Sequence, residues 1–167
     1  MGIEEHRRRG PKSVGFAVIT VSDTRTQEDD VTGHILRDML KTAGHQEAIY
    51  MVVRDRVEEV REALERGLAE GSVDLILFNG GTGISKRDVT VEALEPILEK
   101  IMPGFGELFR SLSFEEIGPA AVLSRALAGT CQDRLIVALP GSTAAARLAL
   151  ERLVLPELNH LIWEVKK

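Results

Sequence analysis

Apolar and polar positions along the chain alternate between two rhythms. Val14 to Val21 is a β-rich apolar run, after which Ile35, Leu36, Met39, Leu40 and Ala43 recur at helical spacing until Gly44. Ile49 to Val53 reads as a second strand, and Val57, Val60, Leu64 and Leu68 mark a second helix closed by Gly71. Val73 to Phe78 is a third strand. Beyond residue 90 the pattern predicts mostly helix: Leu94, Ile97, Leu98 and Ile101 share one side, followed by Phe105, Leu108, Phe109 and Leu112. Leu135 to Leu139 restores a strand, and Ala144 to Val165 predicts a last helix that Pro156 kinks or breaks. The order β-α-β-α-β implies parallel strands, and right-handed crossovers place helices on both faces. The predicted class is α/β, three layers around a mostly parallel central sheet.

Composition narrows this picture. At 167 residues, 44% of them hydrophobic, the chain fits one core-bearing domain, taken as 13–167, behind a flexible basic tail over 1–12. A net charge of −5 argues against general affinity for nucleic acid. The run His6 to Lys12 is a local exception, and without interleaved aromatics it reads as a solvated tail rather than a nucleic-acid arm. The single cysteine, Cys131, excludes an internal disulfide and a Cys-rich metal site, and reads as a small buried residue. His6, His34, His45 and His160 show no metal-ligand spacing and read as ordinary surface or helix residues. The opening residues lack the apolar stretch of a signal peptide, and no segment approaches the ~18 apolar residues of a membrane span, so a cytoplasmic protein is expected.

Glycines and charges fall at the carboxyl ends of the predicted strands: Ser22 and Asp23 after the first, Asp55 after the second, Asn79, Gly80, Gly81, Thr82 and Gly83 after the third, and Pro140, Gly141 and Ser142 after the late one. In open parallel α/β sheets those ends line the ligand crevice, where helix N-termini offer unpaired N–H groups to anions. Simpler readings stand beside this one. Asp55 heads D-R-V-E and would cap a helix with Glu58 reaching back. Ser142 and Thr90 are likewise candidate caps, the three loop glycines suit a turn needing positive φ, and Asp88 could form a surface ion pair with Lys86 or Arg87. Two nucleotide motifs fail. After the first strand the chain reads S-D-T-R where a dinucleotide fingerprint needs G-x-G-x-x-G, so the fold is Rossmann-like without that fingerprint, and G-I-S-K-R-D is no Walker loop. A glycine loop, carboxylates able to hold Mg²⁺ and nearby cations suit phosphoryl or nucleotidyl transfer.

The segments "ITVSDTR" with Gly33 downstream, "NGGTG" with "RDVT", "LSRALAG" and "LPGS" resemble, in order and spacing, the MoaB/MogA proteins of molybdenum cofactor synthesis, and "SRALAG" with "LPGST" looks more like the MoaB branch. The likeness runs from about Ser13 to about Leu155 and extends to the gephyrin G domain. It implies a three-layer α/β fold, molybdopterin binding and, in active members, adenylylation of molybdopterin by Mg-ATP. It places Asp55 and Asp88 on two aspartates essential for activity, with Mg²⁺ held between them, and Ser124 and Arg125 against the pterin or its phosphate. Ser22, Asp23, Gly80 to Gly83 and Pro140 to Ser142 would line the remainder. It further implies a trimer or dimer of trimers and contact with other molybdenum cofactor enzymes. From the residues alone, Phe105, Phe109 and Phe114, which lie outside the β/α alternation, read as core or interface. Some MoaB-type proteins bind the pterin without adenylylating it, so a silent binding or carrier protein is the alternative.

Overall fold

A computed structural model describes residues 10–167. Most of the predicted basic tail therefore lies outside the described residues. Six strands form one sheet in the order β2-β1-β3-β6-β5-β4: β1 Gly15–Val21, β2 Gln46–Val53, β3 Leu75–Asn79, β4 Lys100–Ile101, β5 Leu127–Cys131 and β6 Arg134–Leu139. The four strands β2, β1, β3 and β6 are parallel, while β5 runs antiparallel to β6 and β4 antiparallel to β5.

Strand side chains alternate between faces, and each face has its own core. On one, Phe16 and Val18 of β1, Leu75 and Leu77 of β3, and Leu135 and Val137 of β6 pack against α1 (Val31–Thr42), α4 (Pro103–Ile117), α5 (Thr143–Ala149) and α6 (Leu158–Val165). On the other, Ala17, Ile19, Ile76, Phe78 and Ile136 meet α2 (Val57–Ala69) and α3 (Thr90–Leu94). This is the expected three-layer arrangement. Both faces of the central strands are covered, which is why β3 reads as a continuous apolar run with no polar alternation.

The middle of the chain differs from its predicted pattern. Leu94 to Ile101 is not one helical face: α3 ends at Leu94, a short 3₁₀ turn spans Glu95–Ile97, and the chain becomes strand β4. Pro96, near the start of that turn, interrupts the helix. Strand β5 has no sequence signal, because Ala128 and Gly129 carry little β propensity. Its hairpin to β6 turns on Gln132 and Asp133, both at positive φ (47° and 58°), a turn usually signalled by Asn-Gly. The break at Pro156 is real; a π-helical turn over Leu150–Val154 precedes it and α6 restarts at Leu158. Phe105 and Phe109 are core, whereas Phe114 is 59% exposed. Cys131 is buried as expected. His45 is not a surface or helical residue: it is buried between α1 and β2, and its Nδ1 accepts the Val14 N–H at 3.2 Å.

Candidate functional site

Strand order reverses between β1 and β3, since the chain moves outward from β1 to β2 and then returns to the other side. Ligands in such sheets bind beyond the carboxyl ends at this switch point. Here the end of β1 and the end of β3 are in register, Thr20 opposite Asn79, and a cleft of about 260 Å³ opens above them. Ser22, Gly80, Gly141 and Ser142 line it together with Arg25 and Thr143.

The loop leaving β3 has one distinctive feature. Each of its four carbonyls is tied back: Gly80 O accepts the Thr90 hydroxyl (2.8 Å), Gly81 O the Thr90 N–H (2.9 Å), Thr82 O the Arg125 Nε (2.8 Å) and Gly83 O an Arg125 Nη2 hydrogen (2.7 Å). The Gly80 amide donates to Leu139 O, but the amides of Gly81, Thr82 and Gly83 donate to no described group. Carbonyls held behind and consecutive N–H groups left open form a concavity suited to an anion. Gly80 and Gly81 sit at positive φ (96° and 65°), so the turn reading holds for these two. It does not hold for Gly83. There a β-carbon would stand 2.7 Å from Asp88 Oδ2.

Asp55 and Asp88 flank this loop from two directions. Asp55 is half-buried at the end of β2, and its carboxyl is held above the usual carboxylate range, first by burial and then by repulsion from Asp23 and Asp88, with Arg87 pulling the other way. Asp23 accepts the Asp55 N–H at 3.1 Å. The predicted capping box is not formed. Arg56 occupies the cap position of α2 without a side-chain bond, and Glu59, not Glu58, reaches back to accept the Arg54 N–H at 3.0 Å. Asp55 lies one residue too early to cap, which leaves its carboxylate at the loop. Asp88 accepts the Ser85 N–H at 2.9 Å and forms no ion pair among the described residues, so the surface-pair reading fails. Thr90 is the first residue of α3, behind Val89 at the cap, and it braces the loop. Ser142 stands at the α5 cap position but makes no capping bond, and it is exposed beside Gly141.

Arg125 bonds Thr82 and Gly83, and its fork grips Glu92 at 2.6 and 3.2 Å, so this guanidinium is directed at the loop. Glu92 carries no sequence signal beyond its position in the first turn of α3. Ser124 is half-buried, its N–H bonded to Ala121 O. Beneath the cleft lies a further group, the buried side chains of Thr20, Asp30 and Asn79 with the partly buried Tyr50.

Hard oxygen donors with excess negative charge are the kind of set that Mg²⁺ prefers, and Mg²⁺ commonly takes one or two carboxylates, completing its shell with phosphates and water. The residues fit that role in part. Asp23 and Asp88 both repel Asp55, yet among the described residues no group of three or more His, Cys, Asp or Glu side chains is placed to hold a metal ion by itself.

A family profile described as a probable molybdopterin binding domain, for molybdenum cofactor biosynthesis, matches residues 17–160. The chain belongs to this family. Similar proteins include the molybdenum cofactor biosynthesis protein B of Bacillus cereus, 46% identical over 168 residues that span 100% of this chain and 99% of the relative. Among solved structures, a molybdenum cofactor biosynthesis protein B aligns with a TM-score of 0.91 at 47% identity, over 94% of this chain and 98% of that one. MoaB of Pyrococcus furiosus, described as a tungsten cofactor synthesizing protein, aligns with a TM-score of 0.86 at 36% identity, over 94% and 99% of the two chains. The MoaB/MogA resemblance and the fold it implied both stand. No helix among the described residues is long and apolar enough to cross a membrane.

Proposed function

We propose that this protein catalyses Mg-ATP-dependent adenylylation of molybdopterin. The observation that supports it best is the set of open amides on Gly81, Thr82 and Gly83 beside the Asp55 and Asp88 carboxylates. A terminal phosphate oxygen of molybdopterin attacks the α-phosphorus of ATP, the bond to the bridging oxygen breaks, and pyrophosphate leaves with that electron pair. The nucleophile is already ionised, so no general base is required. The difficulty is bringing two polyanions together, and the loop amides, with their carbonyls fixed behind, offer donors that need no reorganisation. Asp55 and Asp88 would hold Mg²⁺, which supplies charge neutralisation on the phosphates. Gly141 and Ser142, at the start of α5, and Ser22 and Asp23, after β1, would line the same crevice, with Ser124 at its rim.

Cytoplasmic location, a homo-oligomer (a trimer or a dimer of trimers) and contact with other molybdenum cofactor enzymes belong to the same proposal. Exposed Leu108, Phe114, Ile117, Val122 and Leu123 support the oligomer, since they gather on α4 and the turn after it. A silent molybdopterin-binding protein is the second reading, favoured by the absence of a ready three-ligand metal cluster among the described residues. Incubation with molybdopterin, Mg²⁺ and ATP, followed by assay of pyrophosphate and adenylylated pterin, separates them. Pterin binding without pyrophosphate release would select the silent protein.

A further inference from the structure

Asn79 ends β3 at the floor of the cleft and is 1% exposed. Its orientation follows from its neighbours. Asp30 is buried, and its carboxylate accepts the Gly33 N–H on Oδ1 (3.0 Å) and both the Thr20 hydroxyl (2.5 Å) and the Tyr50 hydroxyl (2.8 Å) on Oδ2. Burial and the bond to Asp30 push the Tyr50 phenol well above its ordinary range, so it remains a donor. Thr20 donates its single hydroxyl proton to Asp30. Thr20 Oγ1 can then only accept from its other neighbour, Asn79 Nδ2, at 2.8 Å. That bond fixes which end of the amide is which. Asn79 Oδ1 accepts no hydrogen bond from any described residue, yet it is not among the buried atoms left without a partner, so it opens to the cleft.

We infer that Asn79 Oδ1 is the recognition acceptor of this cleft, reading the exocyclic amino N–H of a heterocyclic ligand, and that Asp30 acts through Thr20 as a positioning residue that keeps the oxygen outward. The inference rests on the pterin-binding reading and adds the part of the ligand that enters here. A phosphate has only acceptors and would meet an oxygen with a carboxylate behind it, whereas the donor-only amides of Gly81 to Gly83 suit phosphate a short way along. The two ends of the site are thus matched to the two ends of a phosphorylated amino-heterocycle.

The test measures binding of a phosphorylated 2-amino-4-oxopteridine and of its 2-oxo analogue, in which the exocyclic donor becomes an acceptor, by calorimetry without ATP. Wild-type protein should prefer the amino form on the order of tenfold or more, because a site built around a hydrogen bond rejects the analogue lacking it. Thr20→Val should shrink the preference towards unity, since the amide is then free to turn, and Thr20→Ser should restore it. Asn79→Thr, whose hydroxyl donates or accepts, should also lose the preference, and it serves if Thr20→Val does not fold. Equal affinities in wild type, or a preference undiminished in Thr20→Val or Asn79→Thr, would overturn the inference alone. Binding of neither compound by wild type would overturn the pterin reading together with it.

Discussion

The Asp55 carboxylate occupies the space that a side chain on Gly81 would need: a β-carbon built there stands 2.6 Å from Asp55 Oδ1 and 2.4 Å from Thr90 Oγ1. Gly81 also sits at φ +65°, so Gly81→Ala adds backbone strain to the collision and should cost about 1–2 kcal/mol of stability as well as binding. Gly83 separates the two effects. It carries no positive φ, and its β-carbon would meet only the tip of Asp88. Gly83→Ala should melt within a few degrees of wild type yet bind pyrophosphate more weakly and turn over more slowly. Equal losses of stability in the two variants, seen in thermal melts beside calorimetry, would return the loop to a simple turn.

For the two aspartates, replacement by Asn keeps size and removes charge. Asp88→Asn retains an oxygen for the Ser85 N–H, so its melting temperature should stay within a few degrees. Asp55→Asn should melt no lower than wild type and at neutral pH somewhat higher. The sign follows from linkage: the folded carboxyl titrates above its unfolded value, so ionisation withdraws stability as pH rises out of the acid range, and Asn avoids that penalty. Adenylylation should fall on the order of 10²-fold or more in each variant, the scale of losing one preorganised electrostatic element. Pyrophosphate release across a Mg²⁺ titration measures it, and near wild-type turnover in both would favour the silent binding protein.

Where the fold was legible, single elements carried their own signal. β1, α1, α2 and β3 announce themselves by period, and Gly44, at φ +91°, ends its helix where a glycine should. β5 did not, because Ala128 and Gly129 are strand residues only through their pairing with β6. At the site, the order of motifs brought out Asp55, Asp88 and the glycines. The partners of those residues were hidden. Glu92 reaches Arg125 across 33 positions, and Thr20 reaches Asn79 across 59, separations at which no spacing rule operates. Asp55 looked like a cap from its D-R-V-E context, and only the start of α2 at Val57 shows that it stands too far back.

His45 makes stability depend on pH. Burial lowers its folded pKa below the ordinary value near 6.5, and Nδ1 already accepts the Val14 N–H, so the native state resists the proton. The unfolded chain then binds protons first. Stability should be fully present above about pH 6.5 and fall as pH drops below it, towards the lowered folded value. Gln at this position offers an uncharged acceptor to Val14. Urea midpoints from pH 7.5 to 5 should decline less steeply in His45→Gln than in wild type, and identical slopes would show that His45 is not the group responsible.

The grip of Arg125 on the loop distinguishes two roles that single substitution of Arg125 would confuse. If its guanidinium mainly contacts ligand phosphate, removing the competing Glu92 carboxylate should leave binding unchanged or improve it. If instead it acts by holding the Thr82 and Gly83 carbonyls so that their amides face outward, Glu92 matters because it orients the fork, and Glu92→Gln should weaken pyrophosphate binding. The geometry favours the second role. Arg125→Lys replaces a planar fork by a point charge unable to serve both carbonyls and Glu92, and should weaken binding about fivefold or more, the worth of roughly one hydrogen bond. Glu92→Gln should lose less, since the pair is partly exposed and amide and carboxylate differ mainly in charge. Faster hydrogen exchange at the Thr90 amide, which is bonded to Gly81 O, in both variants, with the rest of the sheet unaffected, would accompany the loss. Unaltered exchange there and tighter pyrophosphate binding in Glu92→Gln would instead place Arg125 at the ligand.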